Sequence, residues 1–256
     1  MVIGRKFDSE TLGVYNRGEN FPKFIGTNVS GVLQNVIFPT LTYYTGDKAT
    51  SLAIIRRSLT LGIYCVMPCM FGLAAAAEPM IRVLLTDKWL DCVFFLRLAC
   101  VVYAFNPVLD ATSSALYALG KSGTVLKLVF FRYSHIVLVL LVTSNFGLQA
   151  MAVGYMLVNV FCNFFYFVPL RKFFPNYKPK MIIVDILPSI LISGFMFMVV
   201  YSLSFIRLSY LVIFILQVFV GIVVYIFFSL ITKHKSFIYL VDIFKVFIAK
   251  RRNLNV

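Results

Sequence analysis

The stretch from Leu208 to Thr232 contains no Asp, Glu, Lys or Arg and is long enough for a helix to cross a lipid bilayer. Similar apolar runs recur along the whole chain, which is 61% hydrophobic and 13% charged and has a mean hydropathy of +0.90. A soluble domain carries roughly 25% charged residues, and one of 256 residues could not bury this much apolar surface. The sequence therefore predicts an all-α polytopic membrane protein.

The apolar runs predict about seven transmembrane helices. Each is close to the roughly 20 residues that cross a bilayer, or longer by an amount that helix tilt absorbs. The connections are short, which favours antiparallel neighbouring helices. The first span is unusually polar. The predicted spans lie near residues 22–44, 58–77, 92–117, 125–143, 147–169, 182–205 and 208–232, so residues 1–232 form one transmembrane unit.

Residues 233–256 form a basic tail after the last span. Its apolar residues recur at helical spacing, with Lys245 and Lys250 elsewhere on the helical wheel. This pattern is typical of an amphipathic helix on the membrane surface, and it also fits a solvated tail with some helix. The apolar set is Phe237, Leu240, Phe244, Phe247 and Ile248.

The formal net charge of +14 predicts contact with membrane lipid headgroups and no nucleic acid partner. Nucleic-acid binding needs an exposed basic face with aromatic residues for base stacking, but most of the 27 Phe and 14 Tyr lie inside apolar runs. The side of the membrane with most Lys and Arg is predicted to be cytoplasmic, as is the C-terminus. Its cations are Lys48, Arg56, Arg57, Lys121, Arg171, Lys172, Lys178, Lys180 and those of the tail.

The N-terminal stretch conflicts with this orientation, because seven spans place it outside although it is basic. The four cations on the wrong side are Arg5, Lys6, Arg17 and Lys23. A structure set by another part of a larger protein would explain the conflict.

Ionisable residues inside spans are the best functional pointers in a membrane protein, because burying them is costly unless they are paired or hydrated. Arg132 and its neighbours Lys127 and His135 could line a positive aqueous cavity. In the alternative, Arg132 pairs with another helix, Lys127 extends to the membrane interface and His135 is only hydrogen-bonded. Arg97 lies near the outer end of the third span. His135 and Asp110 are candidates for ion coupling.

Two other polar segments fit a cavity. The stretch "FNPVLDATSSALYALG" holds Asp110 and Pro107, and it reads either as a broken helix lining a cavity or as a proline kink with Ser and Thr contacts between helices. Asn28, Gln34 and Asn35 project within one broad face of the first span. A polar face on a spanning helix contacts a cavity or another helix, not lipid.

Nothing in the sequence predicts an enzyme, a cofactor or a metal site. It has no phosphate-binding Gly-rich loop, no serine nucleophile elbow and no HExxH. Its five cysteines read as small apolar residues, and only two histidines are present. Asp87 and Asp91 around Trp89 are weakly similar to the acidic loops of lipid-linked glycosyltransferases, although Trp89 is more simply an interface anchor.

Four segments resemble the Wzx/WzxC/TuaB-type polysaccharide flippases of the multidrug/oligosaccharidyl-lipid/polysaccharide (MOP) superfamily. They are "IGRKFDSETLGVYNRGENFP", "VIFPTLTYYTGDK", "MPCMFGLAAAAEPMIRVLLTDKWL" and "SALYALGKSG". The resemblance implies one lobe of a MATE-like two-lobe transporter with alternating access. It also implies translocation of undecaprenyl-diphosphate-linked oligosaccharide across the bacterial inner membrane during O-antigen, capsule, exopolysaccharide or teichuronic acid synthesis.

The resemblance further implies a cationic cavity for the sugar and the diphosphate. Its expected lining residues here are Arg17, Asn28, Gln34, Asn35, Arg97, Lys127 and Arg132. The segments match only the C-terminal half of such a transporter, so we expect a fragment that needs an N-terminal lobe and does not translocate alone. Polymerases and glycosyltransferases of the pathway are further expected partners. The alternatives are a membrane glycosyltransferase or polymerase of the same pathway, and a multidrug exporter of related fold.

Overall fold

The computed structural model describes residues 8–44, 46–175 and 177–242 together with Lys245, and all of the regular structure in this part of the chain is helical. Short 3-10 turns at Asp87–Trp89, Ser144–Phe146 and Leu203–Phe205 extend or join the helices. The α-helices are α1 (Ser9–Tyr43), α2 (Lys48–Ala75), α3 (Ala77–Leu84), α4 (Cys92–Ala104), α5 (Asn106–Ala118), α6 (Ser122–Thr143), α7 (Leu148–Phe165), α8 (Phe167–Phe173), α9 (Pro179–Ser202) and α10 (Tyr210–Ile231).

Six helical segments in the described residues are long and apolar enough to cross a membrane. They correspond to the second through seventh predicted spans, and the all-α membrane class is confirmed. The segments are Lys48–Ala75, Cys92–Ala118, Ser122–Phe146, Leu148–Phe173, Lys180–Phe205 and Tyr210–Ile231. The helix of the second predicted span, α2, begins at Lys48, ten residues before the predicted start at residue 58. It begins there because the Asp47 side chain caps α2 by accepting from the backbone N–H groups of Ala49 and Thr50.

Helix α1 contains the first predicted span, but it begins much earlier, at Ser9, with Asp8 as its N-cap. Residues 9–21, which precede the first predicted span, are therefore helical as well. Its 35 residues reach about 52 Å, well beyond a hydrocarbon core of about 30 Å. Because α1 is too polar to qualify with the other six by composition, its crossing stays a prediction. Arg5 and Lys6 lie outside the described residues.

The bundle is built around α2. Helices α1, α4, α5 and α9 all pack against it, while α6 packs on α7, and α10 packs on α9 and α3. Two glycines allow α1 to approach α4 closely. A Cβ atom on Gly18 would lie 2.7 Å from the backbone oxygen of Cys92, and one on Gly26 would lie 2.7 Å from the Tyr103 ring. The largest buried cluster includes Ile63, Met67, Leu96 and Leu116.

Helix order places the short connections at two ends of the bundle. We call one the basic end; it holds the connections at residues 44–47, 119–121 and 174–178 and the segment after α10. The tail is helical over residues 235–242, where Phe237 is half-buried and Leu240 exposed. Phe244, Phe247, Ile248 and Lys250 lie outside the described residues, so the amphipathic pattern of the tail stays a prediction.

Candidate functional site

Helix α1 presents a polar side on the outside of the bundle over residues 17–28 and again over residues 34–42. Within each stretch the exposed residues recur every three or four positions, which places them on one side of the helix. Phe24 and Phe38 share this side, while Gly18, Gly26 and Leu41 are buried on the other. The polar members are Arg17, Asn20, Lys23, Thr27, Asn28, Gln34, Asn35 and Thr42; we call this set the polar face of α1.

The polar face of α1 contacts a buried carboxylate of α5. The side-chain amide of Gln34 donates to Oδ1 of Asp110 over 2.8 Å, and Asp110 is only 6% exposed. Asp110 follows the helix break at Phe105, where α4 ends and α5 restarts with Pro107 in its first turn. The structure thus brings together two predicted site residues that are distant in sequence. Asn28 instead donates to the carbonyl of Phe24 within α1 (2.6 Å).

The three basic residues predicted on α6 lie in different environments. Arg132 turns inward and donates from Nε (3.2 Å) and Nη2 (2.5 Å) to Oδ1 of the fully buried Asn159 on α7. His135 holds its Nδ1 at 2.8 Å from the Phe131 carbonyl of its own helix, which requires a proton on Nδ1. Lys127 is exposed. In this conformation they do not form one positive cluster.

Sequence reasoning missed Glu19, which lies in a small cavity with three tyrosines between α1, α4 and α7. The Tyr103 hydroxyl donates to Glu19 Oε1 over 3.0 Å, and Tyr15 and Tyr155 line the same cavity. Tyr155 is one turn from Asn159, the partner of Arg132, and the Asn159 amide donates to the Tyr155 carbonyl (2.7 Å). Tyr15 and Glu19 are four residues apart, which is helical spacing, but both precede the first predicted span and so were not among the predicted site residues.

Two further predicted arginines lie at the end opposite the basic end. The Arg17 guanidinium lies 5.3 Å from the centre of the Trp89 ring. Arg97 donates to the Ala74 carbonyl over 3.2 Å and stacks near Tyr201, whereas Phe95, on the other side of α4, contacts Tyr15 of α1. The structure therefore does not bring Arg97 to the polar face of α1.

The acidic loop at that end forms ion pairs. Arg82 contacts Glu78 at 3.0 Å and Asp87 at 2.5 Å. The hydrogen bond to Glu78, aided by Asp87, raises the pKa of the guanidinium. Asp87 is thus the partner of a cation on a surface loop, and Asp91 is exposed. The carboxylates of Glu78 and Asp87 in this loop are therefore engaged in charge pairing with Arg82.

Comparisons with known proteins agree with this architecture. A model of the family described as "Polysaccharide biosynthesis protein" matches residues 1–94. The fold is similar to a solved structure of "Lipid II flippase MurJ, inward closed conformation", with a TM-score of 0.74, 18% identity and coverage of 88% of this chain and 48% of that one. Together these similarities relate the chain to polysaccharide biosynthesis proteins by sequence and to a lipid II flippase by fold. The family resemblance inferred from the sequence is thereby confirmed.

A relative from Klebsiella pneumoniae carries the name "Uncharacterized membrane protein in cps region". It is 24% identical over 169 residues, which is 64% of this chain and 35% of that protein. The chain thus spans between about a third and a half of the length of the two proteins that it matches. The six long apolar helices of the described residues indicate a multi-pass membrane protein.

Sequence reasoning also missed a charged pair that joins two helices of this fold. Arg56 of α2 donates from Nε (2.8 Å) and Nη2 (2.6 Å) to the two carboxylate oxygens of Asp185 on α9. The signal was an isolated carboxylate near the start of an apolar run, which needs a partner. We did not use it because Arg56 was read as part of a loop.

Proposed function

We propose that these helices form one lobe of a flippase that moves a lipid-linked oligosaccharide across the bacterial inner membrane, with the polar face of α1 as one wall of its path. The observation that carries the proposal is that face: exposed Asn28, Gln34 and Asn35 on a helix packed among apolar spans. Lipid cannot satisfy amide groups, so such a face needs water or another protein surface. A hydrated path is what a polar headgroup requires to cross.

The chemistry of the polar face fits a sugar and a diphosphate. Amide and hydroxyl side chains pair with sugar hydroxyls, and Arg and Lys pair with phosphoryl oxygens. Arg17 and Lys23 supply cations toward one end of this face, and exposed Lys127 on α6 supplies another. Asp110, bonded to Gln34, is the carboxylate that we propose to couple an ion to the cycle, with His135 as a second candidate.

The proposed cavity needs a second wall, which we assign to a partner lobe. The likeness to MurJ, which covers 48% of that chain, supports a two-lobe arrangement. We also propose that the C-terminus is cytoplasmic, because the basic end carries most of the Lys and Arg residues. The described helices on their own are then expected to bind substrate weakly and not to translocate it.

Cysteine accessibility tests whether water reaches the polar face of α1. In a background with Cys65 and Cys69 replaced by Ser, Asn28→Cys and Asn35→Cys should react with a charged maleimide in intact membranes. Phe219→Cys on the exposed apolar side of α10 is the matched control and should react far more slowly, because a thiol in lipid does not ionise. Equal, slow labelling of all three positions would contradict a water-lined α1.

Gene disruption tests the cargo. Removing the coding sequence from its host should make diphosphate-linked oligosaccharide accumulate in the membrane while surface polysaccharide falls. Re-expression of the intact sequence should reverse both effects, and Asp110→Asn or Gln34→Leu should reverse them incompletely. Unchanged export after disruption would reject the function. If the amount of lipid-linked oligosaccharide in the membrane stays normal while the surface polysaccharide becomes shorter, a polymerase would be favoured instead.

A further inference from the structure

We propose that a cleft at the basic end, between α2, α9 and the segment after α10, binds the headgroup of an anionic phospholipid. The cleft has a volume of about 690 Å³. It is lined by Arg56, Arg57, Lys233 and Lys235, with Asp185 as the opposing carboxylate. This site is separate from the polar face of α1 and does not depend on the proposed cargo.

The arginines of the cleft keep hydrogen-bond donors available. Arg56 uses Nε and Nη2 on Asp185, so Nη1 remains to donate. The Arg57 guanidinium lies 3.3 Å from the centre of the Tyr239 ring. Stacking engages the flat face of a guanidinium and leaves its N–H groups free at the edge, where they match phosphate oxygens. One arginine is thus fixed by a carboxylate and the other by an aromatic ring, both beside one cleft.

Lys233 occupies a backbone position that favours glycine. Helix α10 ends in a Schellman motif: the His234 N–H donates to the Ser229 carbonyl (3.1 Å) and the Lys233 N–H to the Leu230 carbonyl (3.1 Å). Lys233 has φ 48 there, in the left-handed region where a side chain is unfavourable. The helix dipole favours cations at this end, which helps to explain Lys233 and Lys235 but not Arg57.

The fifth basic side chain of the cleft, His234, is neutral and has a structural role. Ser236 donates its backbone N–H to His234 Nδ1 (3.2 Å), so the ring proton is on Nε2, 3.2 Å from Ser189 Oγ. Burial lowers the pKa of His234, and the ring stacks on Tyr64. A neutral histidine therefore holds the tail against α2 and α9, and the charge of the cleft comes from the four Lys and Arg side chains.

The other walls of the cleft indicate a lipid rather than a free anion. Val184, Pro188 and Leu61 line it, and Val184 leads to the exposed apolar residues Leu187 and Leu191 along α9. The cations thus lie in the third turn of α2 and directly after the end of α10, with an apolar surface running from them along α9. A molecule with an anionic head and acyl chains fits both parts, and a zwitterionic lipid offers no net charge to offset the cations.

The test uses native mass spectrometry of the purified full chain with phosphatidylglycerol or phosphatidylcholine in mixed micelles. We expect one phosphatidylglycerol to be retained preferentially. The double variant Arg57→Gln/Lys235→Gln should weaken retention by about 30-fold, since each surface cation contributes about fivefold to anionic lipid binding. Lys88→Gln, an exposed cation at the other end, is the matched control and should change nothing.

Lys233→Gly separates a lipid contact from a structural role. Glycine suits the left-handed position, so thermal stability in phosphatidylcholine should hold or rise while phosphatidylglycerol retention falls about fivefold. Equal retention of the two lipids, or unchanged retention in the double variant, would overturn the proposal. Displacement of phosphatidylglycerol by millimolar inorganic phosphate would also overturn it, because the cleft would then recognise a free anion.

Discussion

Helices α1 and α10 both lie on the outside of the bundle, but α1 turns polar side chains outward and α10 turns apolar side chains outward. Helix α1 buries Gly18, Gly26 and Leu41 and exposes amides and cations. Helix α10 buries Gln217, Tyr225 and Ser229 and exposes an apolar set formed by Leu211, Ile215, Phe219, Ile222 and Ile226. Similar exposure therefore predicts different surroundings: lipid around α10, and water or protein along α1.

The inversion also changes how each helix is attached. Contact of α1 with α4 rests on close backbone approach at its glycines. Attachment of α10 relies on hydrogen bonds in an apolar setting: Tyr64 donates to Ser229 Oγ (2.9 Å), and Tyr225 donates to the Tyr64 carbonyl (2.7 Å). Such buried polar contacts are costly to break, because no water replaces the lost partner.

The largest expected difference between α10 and α1 is in the cost of placing a lysine on the outward side of each helix. Phe219→Lys, at a position 65% exposed, should disfavour insertion of α10 by about 3 kcal/mol, because the charge would enter lipid. Asn35→Lys on α1 should cost much less. Membrane-integrated yield and protease resistance of the two variants measure the difference. Equal yields would mean that the two helices have the same surroundings.

Glycine substitutions test the close packing of α1. Gly18→Ala should destabilise the protein by about 2 kcal/mol, because the new Cβ would meet backbone atoms of α4 at 2.7 and 2.9 Å. Gly31→Ala is the control on the same helix. Since no described atom beyond its chain neighbours and the backbone of its own helix lies within 4 Å of its Cβ position, helix propensity should make it stabilising by about 0.8 kcal/mol. Unfolding in detergent measures both, and a shared sign would argue against the packing described for α1.

Removing a hydroxyl tests the polar side of α10. Tyr64→Phe leaves the Ser229 hydroxyl without its donor and should cost about 1 kcal/mol of unfolding free energy. Tyr43→Phe, at a tyrosine that is 82% exposed, should be neutral. In a double-mutant cycle, adding Ser229→Ala to Tyr64→Phe should restore most of the lost unfolding free energy, because neither polar partner is then left alone. Independent, additive effects would show that the hydrogen bond does not hold α10.

The smallest effect concerns pH and the tail. Burial lowers the pKa of His234 below its usual value near 6.5. The unfolded chain then binds more protons than the folded one between the two pKa values, so stability is full above about pH 6.5 and falls as the pH drops through the folded-state value. Nearby cations Arg57, Lys233 and Lys235 act in the same direction, while Asp185 in the cleft opposes them.

Unfolding between pH 7.5 and 5 should therefore show a loss of stability that is reduced in His234→Gln. An unchanged slope in His234→Gln would show that the buried ring is not the titrating group.

Hydropathy was sufficient to locate the long apolar helices of the second to seventh predicted spans, because a run of about 20 apolar residues is a property of neighbouring residues alone. It misplaced the start of α1, since a helix that continues beyond the membrane as a polar segment carries no hydropathy signal. The same error hid Glu19. Reading Arg56 as a loop residue similarly hid its pair with Asp185, which only an earlier start of α2 makes possible.

Residue chemistry pointed to Asp110, Gln34 and Arg132 as polar groups that need partners, but not to what those partners are. The sequence by itself determined an all-α membrane protein with flippase-like segments, because hydropathy and local motifs are properties of neighbouring residues. Only the tertiary structure decided that Gln34 meets Asp110, that Arg132 meets Asn159 and that the cations after α10 share a cleft with Arg57. These pairings depend on how helices rotate and approach each other, which side-chain packing between distant segments sets.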